Sequence, residues 1–215
     1  WGRNASSTRP QETTWNQDGP NSMYKGELNY VIGNNLFLVV RYAYVKGGFS
    51  FDPQGGMDKD VYQDEGGVYH GSYSNYITDR PQKAAVMDGN YFRGNHELKF
   101  GFTWRKTEVH STSQYATSTA GQPILTLYNQ GSPTLVTAQV TAPYVSDGLS
   151  KYYSLYAGDT ITLKRATINV GFRYDYQTSS VLPSKSAAVV GFERYLPAVT
   201  APGVPNALTY KLIQP

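Results

Sequence analysis

Apolar and polar residues alternate along several long stretches of this chain. Residues 22–32 place Tyr24, Gly26, Leu28, Tyr30 and Ile32 on one parity, and Met23, Lys25, Glu27, Asn29 and Val31 on the other. A period of two predicts a strand with one apolar and one mostly polar face. Gly33-Asn34-Asn35 reads as a tight turn, because Gly and Asn tolerate positive φ. Residues 36–46 return, with Leu36, Leu38, Val40, Tyr42 and Tyr44 on the parity opposite to Arg41. A second hairpin follows. Residues 84–92 form its weaker arm, Arg93-Gly94-Asn95 its turn, and 96–109 its strong arm, where Leu98, Phe100, Phe102 and Trp104 oppose Glu97, Lys99, Thr103, Arg105 and Thr107. A third joins 151–163 through Lys164-Arg165 to 167–177, where Ile168, Val170, Phe172, Tyr174 and Tyr176 oppose Asn169, Arg173, Asp175 and Gln177. Residues 208–213 begin a seventh strand.

Between the hairpins the pattern disappears. Residues 1–21 are polar and broken by Pro10, Gly19 and Pro20, and read as a loop. Residues 47–79 are rich in Gly and Asp. Residues 111–149 are rich in Ser, Thr and Gln, with a short hairpin expected near Ile124–Tyr128 and Thr134–Val140. Residues 178–207 carry Pro183, Pro197, Pro202 and Pro205. Short turns on one side and long connections on the other are the organisation of transmembrane barrels. Aromatic residues at strand ends (Tyr24, Tyr44, Trp104, Tyr174, Tyr176) suit a girdle at a lipid interface. The opposite parity, with Lys25, Glu27, Arg41, Lys99, Arg105, Arg173 and Asp175, must then face water or a polar plug. The predicted fold class is all-β: an antiparallel up-and-down transmembrane β-barrel segment of six to seven strands, with residues 1–215 as one partial barrel domain. Single-chain bacterial barrels have at least about eight strands, and a membrane sheet must close. A segment of a larger barrel is therefore expected, one that does not form a stable closed monomer by itself.

Composition narrows the function classes. Tyr (19) and Gly (21) are abundant, charged residues are 16%, and the net charge is +3. That balance favours strands over helices and lacks the dense basic face of a nucleic-acid binder. The absence of Cys excludes disulfides and thiolate metal sites. No apolar run approaches the roughly 20 residues of a transmembrane helix. His70, His96 and His110 are scattered, and neither a Gly-x-Ser-x-Gly elbow nor a phosphate-binding P-loop occurs; an enzyme is not expected. Three groups of residues are candidates for chemistry. Tyr62, Tyr69, Tyr73, Tyr76 and Tyr115 in the long segments could stack on a sugar or peptide. Asp58, Asp60 and Asp64, beside Asp52 and Glu65 in a glycine-rich stretch, form the candidate calcium site; no other cofactor is indicated. Arg41, Lys99, Arg105, Arg173 and Asp175 would line the interior or hold a plug.

The strand motifs themselves are informative. Residues 21–30, Asn35-Leu36-Phe37-Leu38, Asn95-His96-Glu97-Leu98-Lys99-Phe100-Gly101-Phe102 and, most tellingly, Gly171-Phe172-Arg173-Tyr174-Asp175 resemble barrel strands of TonB-dependent outer-membrane receptors, in particular the Oar-like branch with its carboxypeptidase-regulatory-like domain. The resemblance implies a barrel of about 22 strands in the bacterial outer membrane. It also implies a plug domain, energy from the TonB complex, contact with the bilayer and lipopolysaccharide, and capture and import of a nutrient. The plug, the TonB-contact segment and the closing strands have no counterpart in these residues. Two other functions are compatible with the alternation: a structural or adhesive barrel without uptake, and a secreted carbohydrate-binding β-sandwich.

Overall fold

The computed structural model describes residues 5–19, 21–117, 123–128 and 136–215. After a short 3-10 turn at Gln11–Thr13 the chain forms β1 (Trp15–Asp18), β2 (Ser22–Ile32), β3 (Leu36–Lys46) and β4 (Gly48–Pro53). Then come β5 (Val61–Gln63), β6 (Tyr69–His70), β7 (Ser74–Asp79), β8 (Gln82–Arg93) and β9 (His96–Tyr115). The remainder is β10 (Ile124–Tyr128), β11 (Val136–Val140), β12 (Tyr144–Leu163), β13 (Ala166–Val181), β14 (Ser184–Ser186), β15 (Val199–Ala201) and β16 (Val204–Gln214).

One antiparallel sheet dominates. The expected hairpins β2–β3, β8–β9 and β12–β13 stand side by side in it, with β16 as the seventh long strand on β13. Gly33 and Gly94 take φ of 59° in the two glycine turns, a left-handed conformation that glycine adopts without Cβ strain. The sheet is open: β2 and β16 do not pair. All-β architecture with up-and-down neighbours agrees with the expected barrel segment.

The wall is taller than the sequence pattern indicates. β9 pairs with β8 along its first half and with β7 beyond it, so β7 and β8 form one strand interrupted at Arg80-Pro81. Proline cannot donate to the ladder, but its carbonyl still accepts from the Glu108 amide at 3.1 Å. β3 and β4 likewise continue one another past Gly47, and β1 pairs with β4. Segments expected to be loops therefore supply β1, β4, β7, the end of β9 and the first third of β12. Most of these strands carry Ser, Thr or Asn on both parities, and the one alternation, Phe49 and Phe51 against Ser50 and Asp52 in β4, is only four residues long; a clear period of two needs two faces in different solvents. β16 begins at Val204 rather than at residue 208. The expected hairpin within 111–149 is found as β10–β11, Thr134 lying outside the described residues.

Registers line the side chains into rows. One face carries Leu28, Val40, Met87, Phe102, Leu155 and Tyr174 in a single row, with Gly26, Tyr42, Ala85, Trp104, Tyr153 and Tyr176 above it. No second layer covers this face among the described residues: Leu155 is 52% and Phe172 58% exposed. A soluble sandwich would bury that row against a second sheet, so the sandwich reading has no support. β16 departs from the rule, since Leu208, Tyr210 and Leu212 share the polar face with Gln177 and Asp175, below a register shift at Ser179/Val181; a one-residue slip exchanges the faces.

Buried apolar residues lie elsewhere. Val61 (3% exposed), Ala116 and Leu125 form a cluster flanked by Met57, Tyr73 and Leu127. Val61 and Leu125 belong to a four-stranded cap, β11-β10-β5-β6, in which β10 runs parallel to β5, and Ala116 packs onto it from just past the end of β9. The cap ties the 47–79 and 111–149 segments together at the end of the wall opposite the short turns.

Candidate functional site

The cap and the rim of the wall enclose a cleft of about 320 Å³. Trp15 from β1, Tyr69 from β6, Tyr73, Arg9 and Gln139 line it, and Val61 and Leu125 of the cap core form its apolar floor. Its walls are held by local hydrogen bonds. Trp15 Nε1 donates to the Ser74 carbonyl, and the buried Ser72 hydroxyl donates to the Glu12 carbonyl at 2.8 Å. The Arg9 guanidinium lies 4.1 Å from the Tyr69 ring centre, a cation–π geometry that fixes the ring at the mouth. Tyr73 donates to Thr141 Oγ1 at 2.9 Å, and burial pushes its hydroxyl above the usual phenol range. Flat rings, a cation and amide groups around an apolar floor suit a neutral or acidic polar ligand with hydrophobic patches.

The five tyrosines singled out by sequence separate into three places. Tyr69 and Tyr73 line the cleft. Tyr115 packs against Tyr73, ring centres 5.1 Å apart. Tyr62 stacks on His70 at 4.5 Å and meets Tyr128 edge-on. Tyr76 sits in the wall, between Phe49 and Phe51. Sequence reasoning missed Arg9, Trp15 and Gln139. Trp15, in a mostly polar stretch, is the signal that pointed to the first segment, since so large an apolar ring is rarely left without a partner.

The calcium expectation meets a different arrangement. No group of three His or carboxylate side chains able to hold a metal ion is assembled among the described residues. Asp64 is occupied instead: Oδ1 accepts the Gly66 and Val68 amides, both at 2.9 Å, and Oδ2 pairs with His70 Nε2 at 2.9 Å. The His70 hydrogen bond is the largest influence holding the Asp64 carboxyl below its usual range. Glu12 approaches the other His70 nitrogen at 3.8 Å. Asp64 thus builds a turn, and Asp58 and Asp60 do not join it as ligands.

The polar face of the wall carries all five of the expected interior residues. Arg41 donates to Asp88 at 2.9 Å and to Glu27 at 3.1 Å, bridging β2, β3 and β8. Asp88 also accepts the Tyr156 hydroxyl at 2.9 Å. That bond spans β9 above Gly101, where a Cβ would lie 2.3 Å from the Tyr156 ring. Arg173 donates to both Asp175 oxygens and to the Tyr152 hydroxyl. Arg105 lies over the Tyr152 ring, and Lys99 pairs with Glu97 at 3.1 Å. Each of the five therefore has a partner within the wall.

A sheet apolar on one face, charge-latticed on the other, with short turns at one end and a ligand-sized cleft at the other, has the layout of a membrane barrel wall. The family model for the TonB dependent receptor-like β-barrel matches residues 1–214. The chain belongs to this family. A comparison with curated proteins gave no match. TonB-dependent receptor barrels are outer-membrane receptors and transporters rather than enzymes. Full-length receptors of this family have a plug domain and interact with TonB. No helix among the described residues is long and apolar enough to cross a membrane.

Proposed function

We propose that this chain is the wall and outer-loop portion of an Oar-like receptor that captures a nutrient at the cap cleft and imports it. The carboxypeptidase-regulatory-like branch, the ligand class (a glycan fragment, a peptide or a metal chelate) and residues 1–215 as one partial barrel domain of about 22 strands are parts of this reading. The apolar face, in this reading, meets the bilayer and lipopolysaccharide. The Arg41, Lys99, Arg105, Arg173 and Asp175 face looks toward the plug, and TonB moves that plug. The candidate calcium site of Asp58, Asp60 and Asp64 has no part in this reading of the cleft.

The cleft carries the reading. It combines Trp15, Tyr69 and Tyr73 with Arg9, sits at the end remote from the short turns, and is built from three segments that the cap core locks together. Uptake and binding of labelled oligosaccharide and peptide pools by cells displaying the whole outer-membrane protein test it. Trp15→Ala and Tyr69→Ala should each lower capture about tenfold, roughly the ~1–2 kcal/mol of one stacked ring, with the barrel still assembled. Unchanged capture and uptake in both variants would refute the cleft as the entry site.

A further inference from the structure

The arginines of the cleft and of the polar wall face fall into two groups. Arg41 and Arg173 pair with carboxylates of the wall. Arg9, Arg80 and Arg105 form no ion pair among the described residues. Each lies over an aromatic ring instead: Arg9 over Tyr69 at 4.1 Å, Arg80 over Phe49 at 5.4 Å and Arg105 over Tyr152 at 5.3 Å. The carboxylates of the long strands on that face are already engaged. Arg41 takes Glu27 and Asp88, Lys99 takes Glu97, and Arg173 with the Tyr152 hydroxyl takes Asp175.

Register sets the three pairs along one line. Trp15 lies in the cleft with Arg9 and donates to the Ser74 carbonyl, and Ser74 faces Tyr115 of β9. Every second residue of β9 from there stays on one side of the sheet. Ser113 is level with Tyr76 and Phe51, Ser111 with Thr78 and Phe49, Thr107 with Gln82, and Arg105 with Ala84 and Tyr152. Arg80 falls between Thr78 and Gln82, where β7 gives way to β8. Contacts show that these side chains share a face: the Thr78 and Ser111 hydroxyls bond at 2.8 Å, and the Phe51 and Tyr76 rings lie 5.0 and 5.7 Å from Phe49. The ten residues from Tyr115 to Arg105 span about 33 Å of the wall.

The strip is thus aromatic and cationic by turns, and it leads from the cleft down the face of Arg105 and Arg173. Stacking holds a guanidinium in place without neutralising it. A ring accepts the flat C–H face of a sugar, and a guanidinium accepts a carboxylate in two parallel hydrogen bonds. A sugar acid presents both features on one unit. An acidic peptide carries its carboxylates on flexible stems that have no flat face.

We propose that this strip guides an acidic oligosaccharide, a chain of carboxylate-bearing sugars, from the cleft into the barrel interior. The inference rests on the reading above that the cleft is the entry site. Sugars stack on Trp15 and on the Phe49, Phe51 and Tyr76 group, and their carboxylates pass from Arg9 to Arg80 to Arg105. No ion pair within the wall has to break at any of these steps.

The test uses cells displaying the whole outer-membrane protein that carries this chain. The probes are fluorescent oligogalacturonate long enough to span the strip, the same chain methyl-esterified, the galacturonate dimer, and an oligoglutamate of equal length. The parent should bind the long acid at least about tenfold more tightly than its ester, and the preference should shrink as salt rises. Arg9→Gln and Arg80→Gln should each cut that preference about fivefold. Arg105→Gln should weaken binding and uptake of the long chain more than binding of the dimer, which is too short to reach from the cleft to Arg105. Heat-modifiable migration reports that each variant barrel is folded, and lysine at the same positions should recover part of the preference by restoring the charge without the planar fork. Equal binding of acid and ester by the parent overturns the proposal, as does oligoglutamate bound as tightly as oligogalacturonate, or an undiminished preference in the glutamine variants. A parent that ignores both sugar chains while Trp15→Ala still lowers capture of another pool overturns the sugar acid and keeps the entry site. Capture indifferent to Trp15→Ala takes away the entry site itself.

Discussion

The wall and the cap solve the burial problem in opposite ways. The cap is stabilised as a soluble protein is: Val61 and Leu125 are buried at 3% and 7% exposure against neighbouring segments. In the wall, Leu28, Val170 and Phe172 stay more than half exposed, and its members touch chiefly their cross-strand neighbours. In the proposed reading hydrocarbon completes such a face, and between the open edges at β2 and β16 the ladder satisfies the backbone groups laterally. The same residue types therefore mean different things in the two regions. A leucine in the cap is paid for by its protein contacts, whereas a leucine in the wall depends on the surrounding solvent.

The largest test of that contrast is Leu155→Arg, near the middle of the apolar band. On a surface in water, changing a half-exposed leucine costs within about 0.5 kcal/mol. At the middle of a bilayer an arginine costs about 2–4 kcal/mol. Equilibrium unfolding of the outer-membrane protein in phospholipid vesicles should show the larger loss; a change below ~0.5 kcal/mol would remove lipid from the account of the wall. Leu125→Ala comes next. It opens a cavity in the small cap core and should cost roughly 2–3 kcal/mol, confined to the cap. Hydrogen exchange should speed at 61–63 and 124–128 while the β9–β12 amides keep their protection. Equal acceleration in both regions would mean that cap and wall unfold as one unit.

The same contrast explains what could be read from the sequence. Tyr24 to Ile32, Leu98 to Trp104 and Ile168 to Tyr176 were legible because their two faces meet different surroundings and the side chains record it. Strands β4, β7 and the ends of β9 and β12 continue the same ladders past the apolar band, where Ser50, Thr78, Ser111 and Ser113 meet water or polar partners on either side. Apart from the short Phe49-Ser50-Phe51-Asp52 alternation in β4, little in their composition distinguishes a strand from a loop. The site was legible in part: Tyr69 and Tyr73 are where an aromatic loop cluster should be. Trp15, Arg9 and Gln139 reach the cleft through β1–β4 pairing and a parallel β10–β5 contact, both long-range and without local signature. Asp64 resembled a cation ligand because an Asp among glycines suits calcium and tight turns equally, and the Gly66 and Val68 amides claimed it.

Gly101→Val sharpens the comparison on the polar face. The added side chain would meet the Tyr156 ring and the Met87 carbonyl, displacing the hydroxyl that reaches Asp88. Overpacking of this kind costs typically 1–3 kcal/mol. The lower end is expected, because the wall's open polar face lets the ring swing aside where a closed core would not. Gly101→Ala combined with Tyr156→Phe separates the two contributions, since it removes the hydrogen bond with a smaller steric demand. If Gly101→Val proves neutral in vesicle unfolding, Tyr156 does not brace β8 across β9.

The smallest effect belongs to the cap and is read with pH. Asp64 is held below its usual value of 3.8, first by His70 and then by the Val68 and Gly66 amides. A carboxyl with a lowered folded-state value contributes stability that is fully present above its unfolded value and is lost as pH falls through the folded one. The 64–68 turn should accordingly keep full protection at pH 5 and loosen as pH drops below about 3.8. The wall's ladders, whose hydrogen bonds are between backbone groups, should not follow it. Asp64 is only partly buried, its side chain 38% exposed, so the change is local: faster exchange at Gly66 and Val68 after correction for intrinsic rates, with little shift in global unfolding. Asp64→Asn should show that loosened turn at every pH and lose the pH dependence. A turn in the parent protein that stays equally protected from pH 5 to pH 3 would mean that the amide bonds to Asp64 do not depend on its charge, and that the cap is held by Val61, Ala116 and Leu125 alone.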